Sequence, residues 1–111
     1  MGFFRDDYLF EAKWQKEQVN KADLVVFSDK VRTKLENTLG IFLSINGFSQ
    51  DGVAVHQAGG SSILLVDGGD LMAVLEERID FISLLLRKRR HAAQTGQIYL
   101  SYYQIVAAGG A

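Results

Sequence analysis

An α/β fold, with a mixed β-sheet flanked by helices, follows from three features of this 111-residue sequence. Short apolar runs alternate along the chain with longer segments of helical periodicity, the pattern of layered α/β domains. Two of the apolar runs, 41–45 and 63–66, lack polar alternation and suit central strands covered on both faces. Turn chemistry punctuates the segment ends: Asn46-Gly47, Gly59-Gly60, Asp67-Gly68-Gly69 and Gly96.

The elements follow in order. Gly2-Phe3-Phe4 and the run 8–14 are strand-like and are joined by the polar Arg5-Asp6-Asp7, which predicts a β-hairpin. Alternation along the second strand puts Tyr8, Phe10, Ala12 and Trp14 on one face and Leu9, Glu11 and Lys13 on the other. Residues 15–20 are polar and form a loop. A helix over 21–37 is expected because Leu24, Val25, Phe27, Val31 and Leu35 recur at helical spacing, with Gly40 beyond its end. The strand 41–45 ends at Asn46-Gly47, and Ser49 caps a helix over 50–58. After Gly59-Gly60 comes a strand over 62–66, and Asp70 is the expected cap of a helix over 71–77. A helix over 78–94 carries Ile79, Ile82, Leu85 and Leu86, then the basic run Arg87-Lys88-Arg89-Arg90, and stops at Gly96. Residues 98–106 look strand-like, and 107–111 form a flexible tail. No linker or repeat divides the chain, so residues 1–106 form one domain.

Composition narrows the function classes. Hydrophobic residues make up 48% of the chain, with seven Phe, four Tyr and one Trp, which supports a packed core and argues against disorder. The net charge of −1 provides no global basic field, so any nucleic-acid contact must come from a local patch. With no cysteine there is no disulfide, no thiolate metal site and no cysteine nucleophile. No segment reads as a membrane span or a secretory signal, so the expectation is a soluble cytoplasmic protein without membrane contact. His56 and His91 are isolated and read as surface or cap residues. Asp67-Gly68-Gly69-Asp70 lacks the EF-hand pattern, and Gly59-Gly60-Ser61-Ser62 lacks the Lys-Ser/Thr ending of a P-loop.

The chemistry concentrates in Glu11-Ala12-Lys13. A carboxylate and an ammonium project side by side from an otherwise apolar strand, an arrangement unfavourable to bury unless it is used. In metal-dependent phosphodiester cleavage a carboxylate holds the metal, and a neighbouring lysine orients water or stabilises developing negative charge. Magnesium prefers oxygen ligands, one or two of them carboxylates. Glu11 supplies one such oxygen and the Ala12 carbonyl is a candidate for another.

Three separated segments, YLFEAKWQKEQVNKADLVVFSDKV (8–31), TLGIFLSINGFSQDG (38–52) and ILLVDGGDLMAVLE (63–76), together resemble Mrr-like restriction endonucleases of the PD-(D/E)xK nuclease superfamily. The resemblance spans roughly residues 2–96. It implies a restriction-endonuclease-like core and Mg²⁺-dependent cleavage of double-stranded DNA in restriction of foreign DNA. It assigns Glu11 to the metal and makes Lys13 the catalytic lysine, with Gln15 as a polar neighbour of the site. Lys16, Lys30 and Lys34 are candidates for DNA-backbone contact, against the alternative of an ordinary charged helix face.

In that family the first acidic metal ligand precedes Glu-x-Lys in an Asp-Gly pair. The corresponding pair here is Met1-Gly2, so an N-terminally truncated nuclease domain is expected, with Asp6 and Asp7 in the hairpin turn. This departure favours the alternative of an inactive remnant that binds DNA or a partner. A further expectation is a homodimer paired through the aromatic run 98–103. Trp14 is expected to pack, and the basic run 87–90 to be a solvated helix end.

Overall fold

The computed structural model describes residues 8–33, 38–58 and 63–107. Within them the elements are β1 (Tyr8–Lys13), α1 (Lys21–Arg32), β2 (Leu39–Ser44), α2 (Gln50–Ala58), β3 (Ile63–Asp67), α3 (Gly68–Leu75), α4 (Phe81–Thr95) and α5 (Tyr102–Ala107). The fold is α/β. Its sheet has three strands in the order β1-β2-β3. Both pairings are parallel, with Glu11 beside Phe42 and Phe42 beside Leu65. The expected mixed sheet is therefore all parallel among the described residues. The antiparallel partner it required, Gly2-Phe3-Phe4, lies outside them, as do Arg5-Asp6-Asp7, Lys34, Leu35, Gly59-Gly60 and the tail from 108 onward.

Strand alternation sorts the core into two layers. Leu9, Phe42, Ile63 and Leu65 pack against Leu24, Phe27 and Val31 of α1. Ala12, Leu39, Ile41, Leu43, Leu64 and Val66 pack on the other side against Phe81 and Leu85 of α4. β2 is buried at all six positions, as a run without polar alternation requires. Helix and sheet approach most closely at Gly40, where an added Cβ would fall 2.5 Å from Val31 Cγ2 and 2.8 Å from Phe27 Cε2. Edge-to-face rings run through the α1 layer, with centroids 4.9 Å apart for Phe27–Phe42, 5.7 Å for Phe42–Phe48 and 5.3 Å for Phe48–Tyr99. Burying each Phe contributes about 1.5–3 kcal/mol.

Helix ends follow local chemistry. Asn20 caps α1 by accepting the Asp23 N–H at 2.9 Å, and Gly96 closes α4 in the left-handed conformation at φ 79°. The described part of α1 ends at Arg32, short of the expected 37, with Thr33 as its C-cap. Asp67, not Asp70, caps α3, and Asp70 completes a reciprocal capping box from the third helical position. Asp80 caps α4, which begins at Phe81 rather than 78. Its inward face also differs from the expected stripe: Leu84, Leu85 and Lys88 are buried, whereas Ile82 and Leu86 are exposed.

The strand expected over 98–106 is not formed. Ile98 accepts one bond from the Leu65 N–H, at 3.2 Å, and the chain then turns into α5. Ser101 and Gln104 explain the turn. The Gln104 N–H donates to Ser101 Oγ at 3.2 Å and the Ser101 N–H donates to Gln104 Oε1 at 2.9 Å, a second capping box. The edge-strand route to a homodimer loses its basis with that strand.

Candidate functional site around Glu11 and Lys13

β1 carries Glu11 and Lys13 on its α1 face, level with Phe42 and Ser44 of β2. Neither is buried away: their side chains are 31% and 34% exposed. α1 crosses above them and supplies a counter-charge at each end. Asp23, in its first turn, lies 3.5 Å from Lys13 Nζ, and Lys30, in its last turn, donates to Glu11 Oε1 at 3.3 Å. The four charges thus form two solvent-accessible pairs, each worth no more than about 1 kcal/mol. Such weak pairs leave both β1 groups able to exchange partners at little cost.

The other expected site residues are placed as follows. Lys30 is at the site itself, on Glu11. Ala12 turns its side chain to the opposite layer, as strand alternation requires. Gln15 lies in the loop after β1, where its side chain donates to the Gln18 carbonyl at 3.4 Å and its carbonyl accepts from Asn46 Nδ2 at 2.6 Å. Lys16 is exposed in the same loop. Trp14 is 67% exposed rather than packed, because β1 ends before it and no described layer reaches it. Asp23 was not singled out by sequence reasoning. Its place in the first turn of α1 was the available signal.

Glu11 is the β1 carboxylate that could serve as an oxygen donor to a cation. Among the described residues no group of three or more His, Cys, Asp or Glu is placed to hold a metal ion. Asp6 and Asp7 lie outside the described residues.

A second polar cluster lies at the end of β3. Lys88 Nζ is 2.9 Å from Asp70 Oδ2, and both residues are almost completely buried. Lys88 also donates to the Leu65 carbonyl at 2.9 Å and to the Leu100 carbonyl at 2.6 Å. Asp70 accepts from the N–H groups of Asp67 at 3.1 Å and Tyr102 at 2.6 Å. The Tyr99 hydroxyl donates to Asp67 Oδ2 at 2.6 Å. Burial pushes the Asp70 carboxyl up against the pull of Lys88, and burial pushes the Lys88 ammonium down against the pull of Asp70. No buried side-chain polar atom among the described residues lacks a partner. Enclosed and fully satisfied, this cluster joins β3, α3 and the segment before α5 and has no free group for substrate.

The basic run 87–90 is accordingly not one solvated face. Lys88 is internal, Arg87 and Arg89 are half-buried, and Arg90 is exposed. His56, expected at the surface or as a cap, is buried on α2 with Nδ1 2.9 Å from the Gly52 carbonyl oxygen. No described helix is long and apolar enough to cross a membrane. Compared with protein-family models, with curated proteins and with solved structures, the chain matches none.

Proposed function

We propose that this chain carries the catalytic strand of an Mg²⁺-dependent DNA endonuclease related to Mrr-like restriction enzymes, acting on double-stranded DNA in the cytoplasm. The observation supporting this reading is the pairing of Glu11 and Lys13 on one face of β1, both accessible and both held only by weak ion pairs. The motif resemblance over roughly residues 2–96 supplies the reaction class. In this reading the core is restriction-endonuclease-like, Glu11 gives one oxygen ligand to Mg²⁺, and the Ala12 carbonyl and Gln15 border the site. The bound ion would supply Lewis-acid polarisation of phosphate and water. Lys13 holds positive charge where the phosphate gains negative charge, and Asp23 keeps its ammonium oriented. Lys30 donates to Glu11 Oε1 at 3.3 Å. Once displaced, it is available with Lys16 and Lys34 for the DNA backbone.

A second reading, an inactive remnant that still binds DNA or a partner, is favoured by the lack, among the described residues, of any group of three or more His, Cys, Asp or Glu placed to hold a metal ion. Nicking of supercoiled DNA separates the two. Mg²⁺-dependent nicking that disappears in Glu11→Gln and in Lys13→Ala supports the nuclease. DNA binding without nicking supports the remnant. If the chain neither binds Mg²⁺ calorimetrically nor shifts DNA, the nuclease and the DNA-binding remnant both fail.

A further inference from the structure

We propose that the cleft between the start of α4 and α5 is a binding site for an organic phosphate. It encloses about 300 Å³ and is lined in part by Arg78, Arg87, Asp80, Ser83 and Tyr102. Asp80 is the carboxylate in the lining, and it is already bonded to Ser83: Oδ1 accepts the Ser83 N–H at 2.8 Å and Oδ2 accepts the Ser83 hydroxyl at 2.8 Å. Arg78 commits only its Nε, to Glu76 Oε1 at 2.9 Å, which leaves its terminal N–H groups free. Arg87 is half-buried and forms no hydrogen bond or ion pair with a described residue. The Tyr102 hydroxyl is likewise uncommitted, because that residue's hydrogen bond is made by its backbone N–H to Asp70.

The cleft therefore sets two guanidinium groups and a phenol hydroxyl against a single carboxylate already engaged by Ser83, which leaves an excess of positive charge and of donors. A ligand rich in acceptor oxygens and negatively charged is the complement, and planar guanidinium groups favour phosphate over a point anion. The volume exceeds that of a bare phosphate and lies at the lower end of small-molecule pockets. Ile79, Val106 and the Tyr102 ring provide apolar walls for the organic part. The site is separate from Glu11 and Lys13: α4 packs on the sheet face opposite α1.

A free phosphomonoester and a phosphate of a nucleic-acid strand share this chemistry. The test is calorimetric titration of the full chain with inorganic phosphate, a nucleoside 5′-monophosphate and a short DNA duplex. The proteins compared are wild type, Arg87→Gln, Arg78→Gln, Arg87→Lys and Glu11→Gln, each checked for an unchanged far-ultraviolet spectrum. The expected result is monophosphate binding weakened about tenfold or more in each Arg→Gln variant, partly kept in Arg87→Lys and unchanged in Glu11→Gln. Arginine-dependent binding of the duplex alone would keep the phosphate site and assign its source to a nucleic-acid strand. Binding indifferent to Arg78 and Arg87, or none with any probe, overturns the proposal. Because Glu11→Gln is scored separately, failure here is distinct from failure of the nuclease reading.

Discussion

Replacing Lys88 with methionine keeps most of the side-chain volume and removes the ammonium. Three acceptors then lose the ammonium: Asp70 Oδ2 at 2.9 Å, which keeps only the Asp67 N–H at 3.1 Å, the Leu65 carbonyl at 2.9 Å and the Leu100 carbonyl at 2.6 Å. Removing one partner of a buried ion pair costs about 3–5 kcal/mol, because the remaining charge stays desolvated. Against a total stability of roughly 5–15 kcal/mol for a domain, that is a large share. At roughly 4 °C per kcal/mol for this chain length, Tm should fall by roughly 12–20 °C. Urea unfolding followed by far-ultraviolet circular dichroism is the suitable assay, since Trp14 is too exposed to report on the core. The loss should also depend on pH. Burial already raises the Asp70 carboxyl in the intact pair, and without Lys88 it rises further. A raised folded-state carboxyl contributes stability that is full below the unfolded value near 3.8 and is lost as pH rises through the folded value. The deficit of Lys88→Met should therefore shrink between pH 7.5 and pH 5. A deficit below about 1 kcal/mol at pH 7.5, or one identical at both pH values, would refute the reasoning.

Other substitutions probe separate parts of the fold. Gly68→Ala places a Cβ 2.4 Å from the Ile45 carbonyl oxygen, and because the obstacle is backbone, a loss of about 1–3 kcal/mol by urea unfolding is expected. Tyr99→Phe keeps the ring against Phe48 but removes the 2.6 Å bond to Asp67, for an expected loss of about 1.5–3 kcal/mol at neutral pH. Burial, reinforced by Asp67, pushes the Tyr99 hydroxyl up, so its contribution holds below the unfolded value of 10.0 and fades above it; the wild-type advantage over Tyr99→Phe should narrow in that alkaline range. Asn20→Ala removes the acceptor for the Asp23 N–H and should cost about 1 kcal/mol. It should also loosen the first turn of α1 that brings Asp23 to Lys13, measurable as faster amide exchange there.

What could be read from the residues depended on whether local chemistry decided the outcome. β2 and β3 were legible because continuous apolar runs suit burial on both faces, and Gly96 was legible because only a left-handed residue closes that helix so simply. Glu11 and Lys13 share a face because strand alternation permits nothing else. The Ser49 cap was read for the same local reason, with the Gly52 N–H 3.4 Å from Ser49 Oγ. The segment 98–106 misled because its aromatic residues suggest a strand, while Ser101 and Gln104 carry a capping-box signature that outweighs them. Asp67 and Asp70 both suit a cap, and the choice came from Tyr99 and Lys88, residues distant in sequence. Lys88 itself was invisible within a basic run. Its burial depends on three partners brought together only by the fold, and it rotates the inward face of α4 away from Ile82 and Leu86.

The sheet order has a kinetic consequence. Every described strand pairing uses β2, and each joins residues separated by a helix, Tyr8 with Leu39 and Gly40 with Ile63. No tight turn is available to zip these pairs together, so a loop of helical length must close before the first ladder bond forms. β1 and β3 have no ladder contact with each other. Because both ladders share β2, a substitution that hinders the docking of α1 at Gly40 is expected to slow the assembly of both edges at once, read as a single slower refolding phase.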